Sequence, residues 1–149
     1  MPFPYKKMTQ GDFDAVRRMT DPSRVWVGEE IAAEYYHDEM PEYGSFPPEL
    51  YVEVINKEEV SAIMAYAWKE NIPVVCRGAG TGLAGGATCK YGGIMLSVMR
   101  MNHIFPIDHK NQTITAEPGA LLIDIQAAAA AEGMFYPPDP GAKTASIGG

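Results

Sequence analysis

Residues 74–93, VVCRGAGTGLAGGATCKYGG, hold seven glycines in twenty positions and no Asp or Glu. A stretch of this kind loses much backbone entropy on ordering and offers few side chains to pack, so it forms the interior of neither a helix nor a strand. It has to be a loop held in place by its surroundings. What it can present is main-chain N–H groups at unusual φ values, a surface suited to anions. The chain around it is acidic, with a net charge of −7 over 149 residues. That field argues against broad nucleic-acid or anionic-membrane binding, which needs clustered Lys and Arg, so any anion here must be held locally.

The rest of the chain sets the loop in context. With 46% hydrophobic and 21% charged residues it is expected to bury an ordinary core as one soluble, globular domain. No apolar stretch nears the roughly 20 residues of a membrane span, and the start, MPFPYKKMTQGD, lacks a secretory h-region, which predicts a cytoplasmic protein. Cys76 and Cys89 form neither a CxxC pair nor part of a histidine cluster, so two reduced thiols and no metal site are expected. The final KTASIGG stops on two glycines without a cap, from which the chain is expected to be a fragment of a longer protein.

Residues 1–50 read as a preamble of short helices and turns, GDFDAVRRMT and EEIAAEYYHDEM among them, with Ile31, Glu34, Tyr35 and Asp38 read as one amphipathic helix face in preference to a site. Residues 51–149 carry the main domain. YVEVI has strand composition, Asn56 is a predicted N-cap with Glu59 as its capping-box partner, and Val60, Ile63, Met64, Ala67 and Trp68 form an apolar stripe that ends at Asn71. PVVC is then a second buried strand, which completes a βαβ unit and delivers the glycine loop to the carboxyl end of a parallel strand. GIMLSV reads as a strand, HIFPID as a weaker one broken by Pro106, and TITAE as another, with the turn DHKNQ between the last two. Leu121, Leu122, Ile125, Ala128 and Ala129 mark a second helix that closes at Gly133, and a Pro- and Gly-rich loop follows. The fold class is α+β.

Three kinds of phosphate loop fit a strand that feeds glycines. The Walker A pattern fails, because Lys90 lies between Cys89 and Tyr91. The dinucleotide fingerprint GxGxxG matches literally at residues 80–85, with Asp108 downstream for a ribose contact, but it works by starting a helix. GATCKYGG at 86–93 has three glycines and no apolar stripe, so no helix fits there. The third kind wraps successive N–H groups around a pyrophosphate without a helix. RGAGTGLAGG, AEPGALL at 116–122 and PPDPGAKTASIGG at 137–149, taken in that order, resemble the FAD-binding domain of the vanillyl-alcohol oxidase and p-cresol methylhydroxylase type. The match is nearest to the branch of glycolate oxidase subunits and D-lactate and D-2-hydroxyglutarate dehydrogenases, and it runs from about Tyr36 to the end.

The resemblance implies the first subdomain of that domain and the start of its second. Gly78, Ala79, Gly80, Thr81 and Gly82 would turn N–H groups and the Thr81 hydroxyl to the FAD pyrophosphate, with Gly85 and Gly86 allowing the close turn. Pro118 and Gly119 would lie along the cofactor. Pro138, Asp139, Ala145, Ser146, Gly148 and Gly149 would line it toward the flavin ring. Relatives with covalent flavin carry a histidine at the position of Thr81, and neither cysteine matches the cysteinyl attachment position, so FAD is expected to be bound non-covalently. The implied activity is oxidation of a 2-hydroxy acid, with electrons passed to an acceptor that could be another protein. The residues that bind substrate would lie beyond residue 149. Two other readings stand beside this one. In the first, the chain is a non-catalytic assembly module, paired as a homodimer through an exposed edge. In the second, it belongs to an alkyl-glycerone-phosphate synthase or a sugar-acid oxidase.

Several residues keep two readings. Arg77 is either a phosphate contact or the partner of an acid at the strand end. Asp139, between prolines, is either a rigid turn residue or a cofactor contact. Lys143 is read as solvated, His103 and His109 as ordinary surface histidines, Met95, Met99 and Met101 as core fillers, and Glu117 as structural.

Overall fold

A computed structural model describes residues 5–148, so the expectation placed on Gly149 lies outside the described residues. Four strands form one sheet: β1 (Val25–Val27), β2 (Leu50–Glu53), β3 (Val74–Arg77) and β4 (Ile94–Ser97), in the order β1-β2-β4-β3. β1 runs antiparallel to β2, while β2, β4 and β3 are parallel. The unit β2–helix–β3 therefore exists, but its two strands are not neighbours, because β4 inserts between them. Register aligns Glu53 and Arg77 on either side of Ser97 at the carboxyl ends of the three parallel strands.

The helices are α1 (Gln10–Arg17), α2 (Lys57–Glu70) and α3 (Leu122–Ala131). α2 begins as its sequence demands. The Asn56 side chain accepts the Glu59 N–H at 2.8 Å, and the helix ends on Asn71 in the left-handed conformation, φ 56. Only half of the expected capping box forms. The Glu59 carboxylate accepts the Ile55 N–H and pairs bidentately with Arg24, at 2.9 and 2.7 Å, instead of returning to Asn56. The α2 stripe is also rotated from its expected position. Ile63 and Ala67 are buried, whereas Met64 is 46% exposed and Trp68 90% exposed. The Tyr66 hydroxyl donates to Asp12 of α1 at 2.6 Å, which draws that flank of the helix inward and turns positions 64 and 68 to solvent.

Strand alternation divides the core in two. Leu50, Val52, Ile94 and Leu96 face α2, where they pack with Ile63, Ala67, Val16 and Val25. Tyr51 and Met95 face the other way and are covered by Ile31, by Tyr35 and Tyr36, and by Cys89 of the glycine loop. The loop and the N-terminal segment thus close a sheet face that would otherwise be open. In that segment the expected helix face at 31–38 is instead 3-10 turns, Gly28–Glu30 and Ala33–Tyr36. HIFPID and TITAE pair only through isolated bridges, Ile104 with Ala116 and Asp108 with Thr113, whose registers differ by one residue, so an extra residue in the first segment interrupts the ladder.

Asp12 joins α1 to the core. Burial raises the pKa of its carboxyl, but hydrogen bonds from Lys6, Tyr66 and Thr9 outweigh this and hold it well below the usual carboxylate range. A depressed carboxyl adds stability above its unfolded value and loses it as the pH falls. The unfolding temperature of the protein is therefore expected to drop steadily below about pH 4. In Asp12→Ala that acid dependence should flatten, with about 3 kcal/mol lost at neutral pH in urea unfolding.

Candidate cofactor site

Parallel neighbours need a crossover connection, which is usually a helix. Here β3 and β4 are joined by residues 78–93, and no helix occurs among them. The loop instead bounds a cavity of about 380 Å³ lined by Cys76, Gly78, Ala79, Gly80, Thr81, Gly82, Ala84, Gly86, Ala87, Ala145, Ser146 and Gly148. Small-molecule sites run from roughly 300 to 1,000 Å³, so this space suits one part of a dinucleotide. A second cavity, about 450 Å³, meets it at Gly78 and Ala79 and lies over the carboxyl ends of the strands, lined by Glu53, Ser97, Arg77, Tyr35, Tyr51 and Leu121 among others. A crevice at that edge of a parallel sheet is where α/β proteins place ligands.

The first cavity has the chemistry of a diphosphate cradle. No carboxylate lines it among the described residues. Ala79 N–H donates to Ser146 Oγ at 3.1 Å, which brings the two distant motifs together. The N–H groups of residues 80–86 meet no protein acceptor among the described residues, as a loop that takes an anion on its main chain requires. The Thr81 and Ser146 hydroxyls add two donors. The start of α3 borders the second cavity through Leu121, and there Leu122 N–H donates to Ala145 C=O at 2.9 Å and Asp124 places a carboxylate in the first turn, which disfavours an anion.

The sequence-derived site residues divide into groups. Gly78, Ala79, Gly80, Thr81, Gly82, Gly86, Ala145, Ser146 and Gly148 line one cavity, and Gly85 lies within the same loop. Arg77 is buried behind them. Its Nη1 donates to the carbonyls of His37 (2.8 Å) and Ala87 (3.2 Å), and its Nη2 to that of Glu34 (3.2 Å), with the guanidinium 5.6 Å from the Tyr35 ring centre. It pairs with no acid among the described residues. Pro118 lies under Gly148, whose N–H donates to the Pro118 carbonyl at 2.9 Å, and Gly119 packs on the backbone of Val98 and Met101. Pro138 and Asp139 are exposed, and Pro138 borders a third, separate cavity beside Phe135 and Tyr136. Sequence reasoning weighed Tyr35 as a site residue but preferred a helix face, and it missed Tyr51, Glu53 and Ser97. Glu53 and Ser97 close β2 and β4 and Tyr51 lies two residues before Glu53, positions whose meaning becomes visible only once strand order is known.

The profile of the FAD binding domain matches residues 48–149. The chain belongs to this FAD-binding family. The FAD-binding chain is 41% identical over 147 residues to D-lactate dehydrogenase of Anaerostipes hadrus, covering 99% of itself and 31% of that protein. It is 39% identical over 116 residues to glycolate oxidase subunit GlcD of Bacillus subtilis, covering 77% of itself and 24% of the relative. It therefore spans less than a third of the length of these relatives. Among solved structures, p-cresol methylhydroxylase with substrate bound superimposes with a TM-score of 0.72 at 22% identity, over 87% of this chain and 27% of that one, a likeness of fold.

Cys76 offers a direct probe of this FAD-binding chain. It is exposed and lines the loop cavity, whereas Cys89 is buried, and burial pushes the Cys89 thiol up to about 12. Packing around the sulfur also raises Cys76 above the ordinary thiol value, so its thiolate fraction at neutral pH is small. Iodoacetamide is expected to label Cys76 alone, at a rate still climbing at pH 9, the ordinary thiol value, and saturating FAD should slow that labelling several-fold. Peptide mass spectrometry reads both.

Proposed function

We propose that this chain is the N-terminal, cofactor-holding part of an FAD-dependent oxidoreductase that takes hydride from a 2-hydroxy acid of the D-lactate or glycolate class. The names of the two sequence relatives support that class. The observation that carries the proposal is the helix-free crossover 78–93, with its free N–H groups and the Ser146 contact around an uncharged cavity. Bound FAD would supply the hydride acceptor and the route for the electron pair to an acceptor. The chain's own residues bind and orient. Loop N–H groups with the Thr81 and Ser146 hydroxyls hold the diphosphate, Arg77 fixes the loop behind it, and the strand ends with Tyr35 and Tyr51 wall off the adjoining cavity. No proton transfer is assigned to this chain, and the groups that grip the hydroxy acid belong to the remaining length that the relatives possess.

The cofactor in this reading is held without a covalent bond. Thr81 stands where the resemblance places a histidine in covalently flavinylated relatives. Cys76, with its raised pKa, is a weak nucleophile. Two free thiols fit a reducing, cytoplasmic setting. Acid precipitation of the FAD-loaded protein tests the reading. The expected result is a yellow supernatant with about one flavin per chain. Flavin that stays with the pellet contradicts non-covalent binding, and a protein that takes up none contradicts the cofactor role.

A further inference from the structure

Residues 37–43 run beneath the glycine loop and are tied to it. Glu39 N–H donates to Gly82 C=O at 3.1 Å, Arg77 reaches the His37 carbonyl, and the Tyr43 ring lies against Gly85. Asp38 belongs to this strap and is only 4% exposed. Its Oδ1 accepts the Met40 N–H at 3.0 Å, but its Oδ2 is buried and has no partner among the described residues. A buried carboxylate oxygen without a donor is costly. The orphan faces Gly82, since a Cβ built there would lie 3.8 Å from Oδ2. The N–H groups of residues 81–83 in turn have no protein acceptor among the described residues. An acceptor without a donor and donors without an acceptor are thus separated by a small backbone movement.

We propose that Asp38 is a positioning residue for the cofactor-bound glycine loop. Its Oδ2 accepts a main-chain N–H from residues 81–83 once a diphosphate is seated, and holds the bound shape of the loop from the side opposite the ligand. The inference rests on the FAD reading above. Asp38 does not line the loop cavity, so it acts through the loop and not by touching the diphosphate. In this proposal Oδ2 finds its donor only in the bound shape of the loop, so the carboxylate penalises the chain without FAD and favours the loaded one. Removing it should move stability and affinity in opposite directions. A purely structural residue lowers both, and simple repulsion of the diphosphate predicts tighter binding when the charge is removed.

The test compares the parent with Asp38→Ala and Asp38→Asn, by thermal unfolding without FAD and by fluorescence titration with FAD. Asp38→Ala should unfold roughly 2–4 °C higher than the parent, the shift expected for about one group in a chain of this size. It should bind FAD about tenfold more weakly, the worth of one charged hydrogen bond. Asp38→Asn keeps the oxygen that Met40 uses but turns an NH2 donor toward the loop N–H groups, so it should bind FAD as weakly as Asp38→Ala. Unchanged or tighter binding in Asp38→Ala overturns the inference, as does a fall in both unfolding temperature and affinity. A parent that fails to bind FAD overturns the cofactor reading and the inference together, whereas a parent that binds normally beside unaltered variants overturns the inference alone.

Discussion

Arg77→Ala is expected to lower stability by about 3–5 kcal/mol, the usual cost of removing one partner from a buried charged network. The buried guanidinium serves three carbonyls, those of Glu34, His37 and Ala87, which belong to two separate segments. Without it those oxygens lose their donors, and the strap keeps the Glu39–Gly82 hydrogen bond and the Tyr43 ring on Gly85 but loses its buried charged tie to the glycine loop. The loop is built around this group: Gly80 has φ +75, and a Cβ there would lie 2.2 Å from Arg77 Nη2. FAD affinity should therefore fall at least tenfold alongside the stability, since the N–H groups are no longer preorganised. Arg77→Lys should recover little, because an ammonium lacks the planar fork that reaches three carbonyls. Urea unfolding and FAD titration measure the two effects. A loss under about 1 kcal/mol with unchanged affinity would show that the strap and loop hold together without Arg77.

The second large effect is expected at Gly119. Its added Cβ would lie 2.2 Å from the Val98 carbonyl oxygen and 2.8 Å from both the Met101 carbonyl oxygen and the Met99 Cα. All three are backbone atoms next to β4, so no side chain can swing aside. Gly119→Ala should cost about 3 kcal/mol, the upper end of ordinary overpacking. For a chain of this size that means a fall of roughly 6–12 °C in unfolding temperature. The damage should also reach the cofactor. Ala120 C=O accepts the Ile147 N–H and Leu122 N–H donates to Ala145 C=O, both at 2.9 Å, so a displaced residue 119 moves Ser146 away from Ala79. Thermal unfolding with and without FAD is the measurement, and a variant as stable as the parent contradicts the close approach.

Features written in short-range chemistry were legible in the sequence. The cap at Asn56, the left-handed Asn71 and the absence of a helix after the glycines all follow from residues within a few positions of one another, and each is present. Features that depend on strand order were not legible. Nothing local places β4 between β2 and β3, and so nothing local predicts that Glu53, Ser97 and Arg77 converge on one edge. Three residues, Val25–Val27, were too short a signal to reveal β1 inside the N-terminal preamble. Arg77 had two readings from sequence, and the structure gives it carbonyl partners that no residue pattern announces. Trp68 was misplaced because periodicity gives the width of an apolar stripe but not its rotation. Here the Tyr66–Asp12 hydrogen bond sets that rotation.

The central claim is that main-chain amides of the glycine loop hold the diphosphate of FAD with no helix end assisting. The most direct measurement is a backbone amide NMR titration of the nitrogen-15-labelled protein with FAD. The account predicts that the amides of residues 78–86 and of Ser146 shift most, while those of residues 123–125 at the start of α3 hold still. Movement concentrated at 123–125 with a silent glycine loop would contradict it.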